Sequence, residues 1–534
     1  MLCKTEIHPP ERMHKNSVHR HLPIFAAWYA GRKFYTHFPG KVWRFEKRGL
    51  QIEVLLLIIE DTVQNRYAVP EEECVLYVFQ RGRQGSVKRH GKPMRATRLI
   101  ALCFLGIILT GTLLLMLPVS SRSGRPCAFL PALFTATSAT CVTGLTPFDT
   151  WSQWSGFGQL VLLCLIEVGG LGFMSAATLV IFLFRRKVGL RQRMIIAQAL
   201  SLNEMDGVVR LQRMVIFGSL AFQAAGALIL ACRFWPQYGL AKALQWGIFH
   251  SVSAFCNAGF DIFGEIAPGT SVQLFRNDPV VLLTLGSLIA VGGLGFLVWE
   301  DVARKRRWRK LSVYSRLVLL ATGSLILSGW ILICILEWNN PRTLGNLSLG
   351  GKLLGGLFQS LTLRTAGFDG LNQAGLTEGG KAVSMMLMMV GGSSGSTAGG
   401  LKTVTFLVLL LFIGTRTRGR STVTVYRHTI PEEQVMNAMT ISLVMIALAM
   451  FGGIFISATS PVNFTDALFE SVSALATVGL TAGATTLLSV PAKILIIVFM
   501  YFGRVGVLTI SLGFLMGDQA VERFRYAETS LLIG

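Results

Sequence analysis

Four short stretches of the chain are variants of one pattern: LFTATSATCVTGL (133–145), IFHSVSAFCNAGF (248–260), LFQSLTLRTAGF (357–368) and LFESVSALATVGL (468–480). Each opens on an aliphatic residue and Phe, runs through Ser or Thr, and closes on Gly followed by Leu or Phe. From Phe to Gly is ten residues in three copies and nine in the third. The closing glycines, Gly144, Gly259, Gly367 and Gly479, recur at intervals of 115, 108 and 112 residues. So regular a recurrence marks tandem copies of one structural unit.

Every copy lies between two apolar runs. Those before it cover about 99–118, 211–232, 313–336 and 435–459; those after it cover about 158–184, 279–299, 381–413 and 491–516. Each unit therefore reads as helix, short amphipathic half-helix, Gly-containing turn, helix. The half-helix is too short to cross a bilayer. The turn cannot face lipid, because irregular backbone at membrane depth is tolerated only where it is buried or lines water. Four such units about one axis put four turns at a central pore, the layout of a cation filter. The expected fold is an all-α integral membrane protein: four tandem helix–pore-helix–filter–helix repeats around a central pore, with eight transmembrane helices. The repeats fall at 98–188, 205–310, 311–430 and 431–534.

Composition agrees with a membrane protein. Apolar residues make up 52% of the 534 residues and charged residues 15%, and mean hydropathy is +0.54. The net charge of +22 would point to nucleic acid in a soluble protein. Here Lys and Arg cluster in short loops between apolar runs, as cytoplasmic loops do. Arg95 and Arg98 precede the first helix. Arg185-Arg186-Lys187 with Arg191 and Arg193, then Arg304 to Lys310, then Arg416, Arg418 and Arg420 follow the second helix of a unit. All are expected in the cytoplasm, with both chain ends there and the half-helices entering from outside. The nine cysteines are scattered singly, which argues against disulfides and structural zinc. Beyond residue 97 only His250 and His428 remain, and no Ser/His/Asp or metal constellation suggests an enzyme.

Residues 1–97 differ in kind, with six of the eight His and many scattered charges. The run Val54–Ile59 is too short to span a bilayer, and no cleavable signal pattern is present. Met94 begins a stretch that reads like a natural membrane-protein start. The segment before it is expected to be a poorly ordered basic cytosolic extension or an over-extended gene start.

A filter needs peptide oxygens aimed inward, and Gly permits the backbone angles this takes. The residues ahead of each Gly complete the four turns: Cys141-Val142-Thr143, Cys256-Asn257-Ala258, Arg364-Thr365-Ala366 and Ala476-Thr477-Val478. Asp149, Asp261 and Asp369 follow the first three turns. They either concentrate cations on the outer side or merely terminate turns.

The second helices share a marker: VGGLGF at 168–173 and 291–296, VGGSSG at 390–395 and FGRVGV at 502–507. It follows the filter Gly by 25, 33, 24 and 24 residues. In the third unit it opens GGSSGSTAGGLKT (391–403). That stretch misses the phosphate-cradling G-x-x-x-x-G-K-[ST] pattern by one residue, since Leu401 separates Gly400 from Lys402. Its apolar flanks are also not those of a nucleotide loop. Gly391-Gly392-Ser393-Ser394-Gly395-Ser396-Thr397-Ala398-Gly399-Gly400 is instead expected to break the helix directly below the filters and act as a gate; the alternative is a small-residue packing groove. Packing is the reading for the simpler markers at Gly169 and Gly292. Arg504 stands where the other markers have Gly170, Gly293 and Gly392. An intramembrane Arg needs acceptors, and loop carbonyls and hydroxyls are the candidates. Arg504 would also raise a barrier in a cation path. Lys402 does the same or snorkels to the surface. Glu167 pairs with a neighbouring cation or is neutral.

Together these motifs resemble the Ktr/Trk/HKT superfamily of potassium transporters over about 95–534. CVTGL, CNAGFD, RTAGFD and TVGLT are similar to its four filter turns, GGSSGSTAGGLKT to its intramembrane gating loop, and GRVG to its fourth-unit Arg. Eight spans without further N-terminal helices are more similar to the Ktr membrane subunit than to Trk. The resemblance implies K+ uptake across the plasma membrane of a bacterial cell. Gly at all four turns is the pattern associated with K+ over Na+. It also implies a homodimer on a ring of cytosolic regulatory subunits that bind ATP or ADP, and often Na+-dependent transport. The chain itself would bind no cofactor. Glu167, where an amide is expected, and residues 1–93 depart from the family pattern.

Overall fold

The computed structural model describes residues 42–47, 50–56, 76–81, 96–172 and 208–506. Contacts divide the chain into two compact units, Met1–Pro93 and Met94–Gly534. In the first, β1 (Val42–Lys47), β2 (Leu50–Leu56) and β3 (Leu76–Arg81) form an antiparallel sheet in the order β1-β2-β3. Val42 faces Leu55 across the first pair and Val54 faces Val78 across the second. An all-α reading did not foresee this sheet. Its strands are short and rich in β-branched and aromatic residues, a weak signal beside twenty-residue apolar runs. The basic cluster at 185–193 and the chain beyond Gly506 lie outside the described residues.

The second unit is helical. Its helices are α1 (Ala96–Met116), α2 (Phe129–Cys141), α3 (Gly156–Leu171), α4 (Val208–Tyr238), α5 (Leu240–Phe255), α6 (Pro279–Leu294), α7 (Phe296–Lys305), α8 (Val313–Glu337), α9 (Leu349–Thr362), α10 (Glu378–Met389), α11 (Thr403–Arg416), α12 (Glu432–Thr459), α13 (Phe464–Leu475) and α14 (Val490–Val505). The four short helices α2, α5, α9 and α13 are the expected half-helices, and each leads into a turn. Each following helix starts at a side-chain cap, which satisfies amide groups that have no partner inside the helix. Ser155 accepts from Gly158 N at 3.3 Å, Asp278 from Val280 N at 3.0 Å, Thr377 from Gly380 N at 3.0 Å and Ser489 from Ala492 N at 3.4 Å.

Among the described residues three helices are long and apolar enough to cross a membrane: Arg210–Tyr238, Val313–Glu337 and Glu432–Thr459. The pair α6 and α7 would make a fourth, but it bends by 93°. The outer surface is apolar, with Leu113, Ile335, Met386 and Leu443 exposed. The interior is lined by buried Ser, Thr and small residues beside aliphatic and aromatic ones. This inversion of the soluble pattern suits a lipid solvent.

The second helices are not continuous over the expected runs. α3 stops at Leu171, α6 at Leu294 and α14 at Val505. Each ends on a marker glycine with left-handed backbone: Gly172 at φ 81°, Gly295 at φ 90° and Gly506 at φ 94°. Glycine reaches these angles without steric cost, so the same position interrupts three of the four second helices. In the fourth case, between α10 and α11, the interruption widens into residues 390–402.

The first marker glycines are contact points, as the packing reading expects. A Cβ added at Gly169 would strike the Thr140 carbonyl, one at Gly292 the Phe255 carbonyl and one at Gly503 the Leu475 carbonyl. The second helix thus rests directly on the carboxyl end of the short helix in its own unit. Gly292→Val is expected to overpack this contact by about 1–3 kcal/mol. A lowered thermal midpoint of the detergent-solubilised protein would register it.

Candidate functional site

Each short helix ends in the same way. The residue two before the ring glycine is left-handed although it carries a side chain: Val142 at φ 57°, Asn257 at φ 58°, Thr365 at φ 63° and Thr477 at φ 53°. For a β-branched residue this is a strained conformation. The glycines follow with φ of 100° at Gly144, 70° at Gly259, 80° at Gly367 and 96° at Gly479.

The four turns close into a ring. A Cβ on Gly144 would lie 2.7 Å from the Ala258 oxygen and 3.3 Å from the Cα atoms of Gly259 and Gly479. One on Gly259 would lie 2.8 Å from the Ala366 oxygen. One on Gly367 would strike the Val478 oxygen, and one on Gly479 the Thr143 oxygen. The contacts run in one rotational sense: each glycine meets the peptide oxygen just ahead of the glycine in the neighbouring turn. The turns therefore follow their order in the chain around a common centre. Four helix carboxyl ends meet there as well, each contributing about half a negative charge from aligned peptide dipoles. Such a centre favours a cation.

A hydroxyl braces every turn. Gly144 N donates to Ser138 Oγ and Gly479 N to Ser473 Oγ, both at 3.0 Å. In the other two turns the hydroxyl donates instead: Ser253 Oγ to the Phe260 carbonyl at 2.7 Å and Thr362 Oγ1 to the Phe368 carbonyl at 2.8 Å. The residue after the opening Phe also ties down the segment beyond the turn in three units. His250 Nε2 accepts from Ile262 N at 3.2 Å. Gln359 Nε2 donates to Gln373 at 2.8 Å. Glu470 accepts from Thr481 Oγ1 at 2.8 Å and from Thr485 Oγ1. The sequence reading noted three carboxylates near the turns and passed over Glu470, which is fully buried. Aligning LFT, IFH, LFQ and LFE would have singled it out. Asp149 caps a single helical turn, accepting from Ser152 N at 2.9 Å, and so acts as a turn terminator. Asp261 accepts from Phe263 N at 3.2 Å. One buried oxygen of Asp369 has no hydrogen-bond partner.

Residues 391–400 form an irregular, largely buried loop against the ring. Thr397 Oγ1 donates to the Phe255 carbonyl at 3.1 Å and lies 3.5 Å from Asn257 Oδ1, in the second turn. A Cβ on Gly391 would lie 3.2 Å from the methyl of Thr365, in the third. One on Gly399 would strike the hydroxyl of Thr477, in the fourth. The loop also bonds to the broken second helix of the second unit. Ser393 N donates to Gly293 O at 3.1 Å, Thr397 N to Gly292 O at 3.3 Å, and Phe296 N, the first amide of α7, to Gly395 O at 2.8 Å. Tyr314 OH donates to Ser394 O at 3.3 Å.

The intramembrane charges have their acceptors. Arg504 donates to the Thr397 carbonyl and to the carbonyls of Gly169 and Gly170, the last at 2.9 Å. It clamps the loop to the first marker, whereas only loop acceptors were expected. Lys402 Nζ turns back to the Ala398 carbonyl at 2.9 Å. Glu167 is held by neutral donors, Gln223 Nε2 at 2.9 Å and Cys256 Sγ at 3.4 Å. Arg364 turns its side chain away from the ring. Its Nη2 donates to Gly391 O at 3.0 Å and Thr403 Oγ1 at 3.1 Å, and its Nη1 to Thr322 O at 3.3 Å.

A ring of peptide oxygens with helix carboxyl ends behind it, inside an apolar-surfaced helical unit, defines a cation transport protein. The match to known proteins is of the same class. The family model TrkH, described as a cation transport protein, matches residues 96–522, and the chain belongs to this family. It is 38% identical to the potassium/sodium uptake protein NtpJ of Enterococcus hirae, over 84% of this chain and 99% of that one. It is 37% identical to the Ktr system potassium uptake protein B of Bacillus subtilis, over 82% of this chain and 96% of that one. The crystal structure of the potassium transporter TrkH from Vibrio parahaemolyticus superposes with a TM-score of 0.61 at 18% identity, covering 80% of this chain and 86% of that one. This last likeness concerns the fold.

Removing a brace should loosen the ring without unfolding the unit. Ser473→Ala leaves Gly479 N without its hydroxyl acceptor. It is expected to reduce discrimination between alkali cations about fivefold, the equivalent of one neutral hydrogen bond. Paired flux measurements with two cations on the same membranes check it.

Proposed function

We propose that the chain takes up K+ through the ring of four turns, with residues 391–400 as a gate beneath them. The observation that carries this is the closed ring of Gly144, Gly259, Gly367 and Gly479, each against a neighbour's peptide oxygen. Peptide oxygens can replace the water around an alkali cation only if four chains of them converge. The printed functions of the relatives, potassium/sodium uptake and potassium uptake, support K+ as the cargo.

The chain would fold as four helix–pore-helix–filter–helix units with eight spans, the short apolar helices completing spans that helix length alone does not supply. Both ends would be cytoplasmic, by the charge pattern around Arg304–Lys310 and Arg416–Arg420. The filter lining would come from residues 141–144, 256–259, 364–367 and 476–479, with Arg364 contributing backbone only, given where its side chain goes. The gate would be Gly391–Gly400 with Lys402 and Arg504. The loop's contacts with three of the four turns support an obstructing position. Arg504 adds a positive charge there, which raises the barrier to a cation until its carbonyl partners move. The name Ktr system, carried by a relative, supports a cytosolic nucleotide-binding regulatory partner and a homodimer. The name potassium/sodium uptake supports Na+ as a coupling ion.

Expression in a cell lacking its own K+ uptake systems tests the proposal: growth at low K+ and measured K+ influx are expected, and influx no greater than in the empty host ends it. Gly144→Ser would press a Cβ against the Ala258 oxygen and hold a side chain at a left-handed angle. It is expected to lower K+/Na+ discrimination roughly tenfold; unchanged discrimination would remove the first turn from the ion path. Deleting Ser394–Ala398 is expected to raise influx several-fold. Unaltered or reduced influx in a well-folded variant would make the loop a packing element.

A further inference from the structure

The third unit departs from the other three at several places. Its Phe-to-Gly spacing is nine residues instead of ten. Its second helix is interrupted by a long loop rather than by one glycine. At the position held by Cys141, Cys256 and Ala476 in the other turns it carries Arg364. A long cation in place of a small residue, inside a membrane, is costly unless it is bonded to acceptors.

The side chain of Arg364 is 7% exposed. Its guanidinium reaches two carbonyls and a hydroxyl, and no ion pair holds it among the described residues. Two of these acceptors stand at the two ends of the loop. Gly391 is its first residue, and Thr403 opens the helix after it. Thr403 Oγ1 itself donates to Gly391 O at 3.0 Å, and Thr403 N donates to Gly392 O at 3.0 Å. The guanidinium therefore staples the base of the loop shut. At the other end of the same residue, the backbone runs straight into Thr365, the left-handed residue of the third turn. Its carbonyl accepts from Asn257 Nδ2, in the second turn, at 3.4 Å.

We propose that Arg364 is a positioning residue that couples the loop to the ring, so that loop movement and cation discrimination are mechanically linked. The inference rests on the loop being the gate and the turns the filter. The physical reason is that a buried guanidinium cannot be left without acceptors. When the loop base shifts, Arg364 either follows Gly391 and Thr403 or loses two charge-assisted bonds. Following them drags the backbone next to Thr365, which is already strained and so responds to a small pull. There is space for such a shift: a cavity bordered by Ile289, Ile326, Leu361 and Gly392 lies beside the guanidinium.

The test uses the full chain in the K+-uptake-deficient host, with K+ and Na+ influx measured together and normalised to the amount of chain in the membrane. The informative variant is Thr403→Val, which keeps shape and removes only the hydroxyl at the foot of the loop. It is expected to raise K+ influx and also the Na+/K+ influx ratio. Arg364→Gln is expected to move both in the same direction, the ratio by roughly tenfold, the size of one lost charge-assisted hydrogen bond. The double variant should be no further from wild type than Arg364→Gln alone, because both changes cut one connection. Arg364→Lys keeps the charge but lacks the two-armed donor, so its ratio should also stay raised. A Thr403→Val protein with altered influx and an unaltered ratio overturns the proposal, as does an additive double variant or a Lys variant identical to wild type. Should Arg364→Gln fail to reach the membrane, Thr403→Val carries the test by itself. Absence of K+ influx in the wild-type chain would instead strike the underlying transport reading.

Discussion

Four glycines stand so close together that a methyl group on any one of them would meet a neighbour's peptide oxygen or Cα. The remainder of the membrane unit is arranged around that crowding. Backbone brought this near to backbone has to be held by something other than side-chain packing, since the contact has no side chains in it. The holding is done one layer out. Short helices end at the ring, their hydroxyls at Ser138, Ser253, Thr362 and Ser473 fasten the turn, and the second helices press against their carboxyl ends through Gly169, Gly292 and Gly503. The same carboxyl ends supply the negative potential that a cation at the centre would feel.

The fourfold arrangement is a pseudo-symmetry with two kinds of departure. The bracing hydroxyl accepts from an amide in the first and fourth units and donates to a carbonyl in the second and third. The residue after the opening Phe is Thr135, His250, Gln359 or Glu470, and three of the four fasten the outer segment by different chemistry. A hydroxyl is both donor and acceptor, so one small side chain can serve either turn geometry. The deeper departure is in the third unit, where Arg364, the nine-residue spacing and the long interruption occur together. Shortening the turn by one residue and replacing a small residue by Arg are consistent with each other if that side chain is to leave the ring and reach the loop.

Charges inside this unit are satisfied mainly by backbone. Arg504 takes carbonyls from Thr397, Gly169 and Gly170, Lys402 takes that of Ala398, and Arg364 takes those of Thr322 and Gly391. Those carbonyls are free to accept because helices are broken there. The glycine-induced breaks at Gly172, Gly295 and 391–400 thus do two things: they end the helices and they release the oxygens that make buried cations tolerable.

The repeat, its turns, the interrupted third helix and the need of Arg504 for acceptors were all legible in the amino-acid sequence. Each is written locally: apolar runs of membrane length, Gly at a fixed offset from Phe, ten residues too small and flexible to continue a helix. The chain alone could not say that Arg364 faces the loop and not the ring, that Glu470 is a buried anchor for Thr481 and Thr485, or that the second helices stop at Gly172 and Gly295. It also did not reveal the sheet of residues 42–81. The partners involved lie far apart along the chain, as with Arg504 and Gly169, 335 residues away. A local pattern specifies what a residue needs, such as an acceptor for a buried cation. Which group meets that need depends on how the four units pack, and only the tertiary structure brings those groups within hydrogen-bonding range.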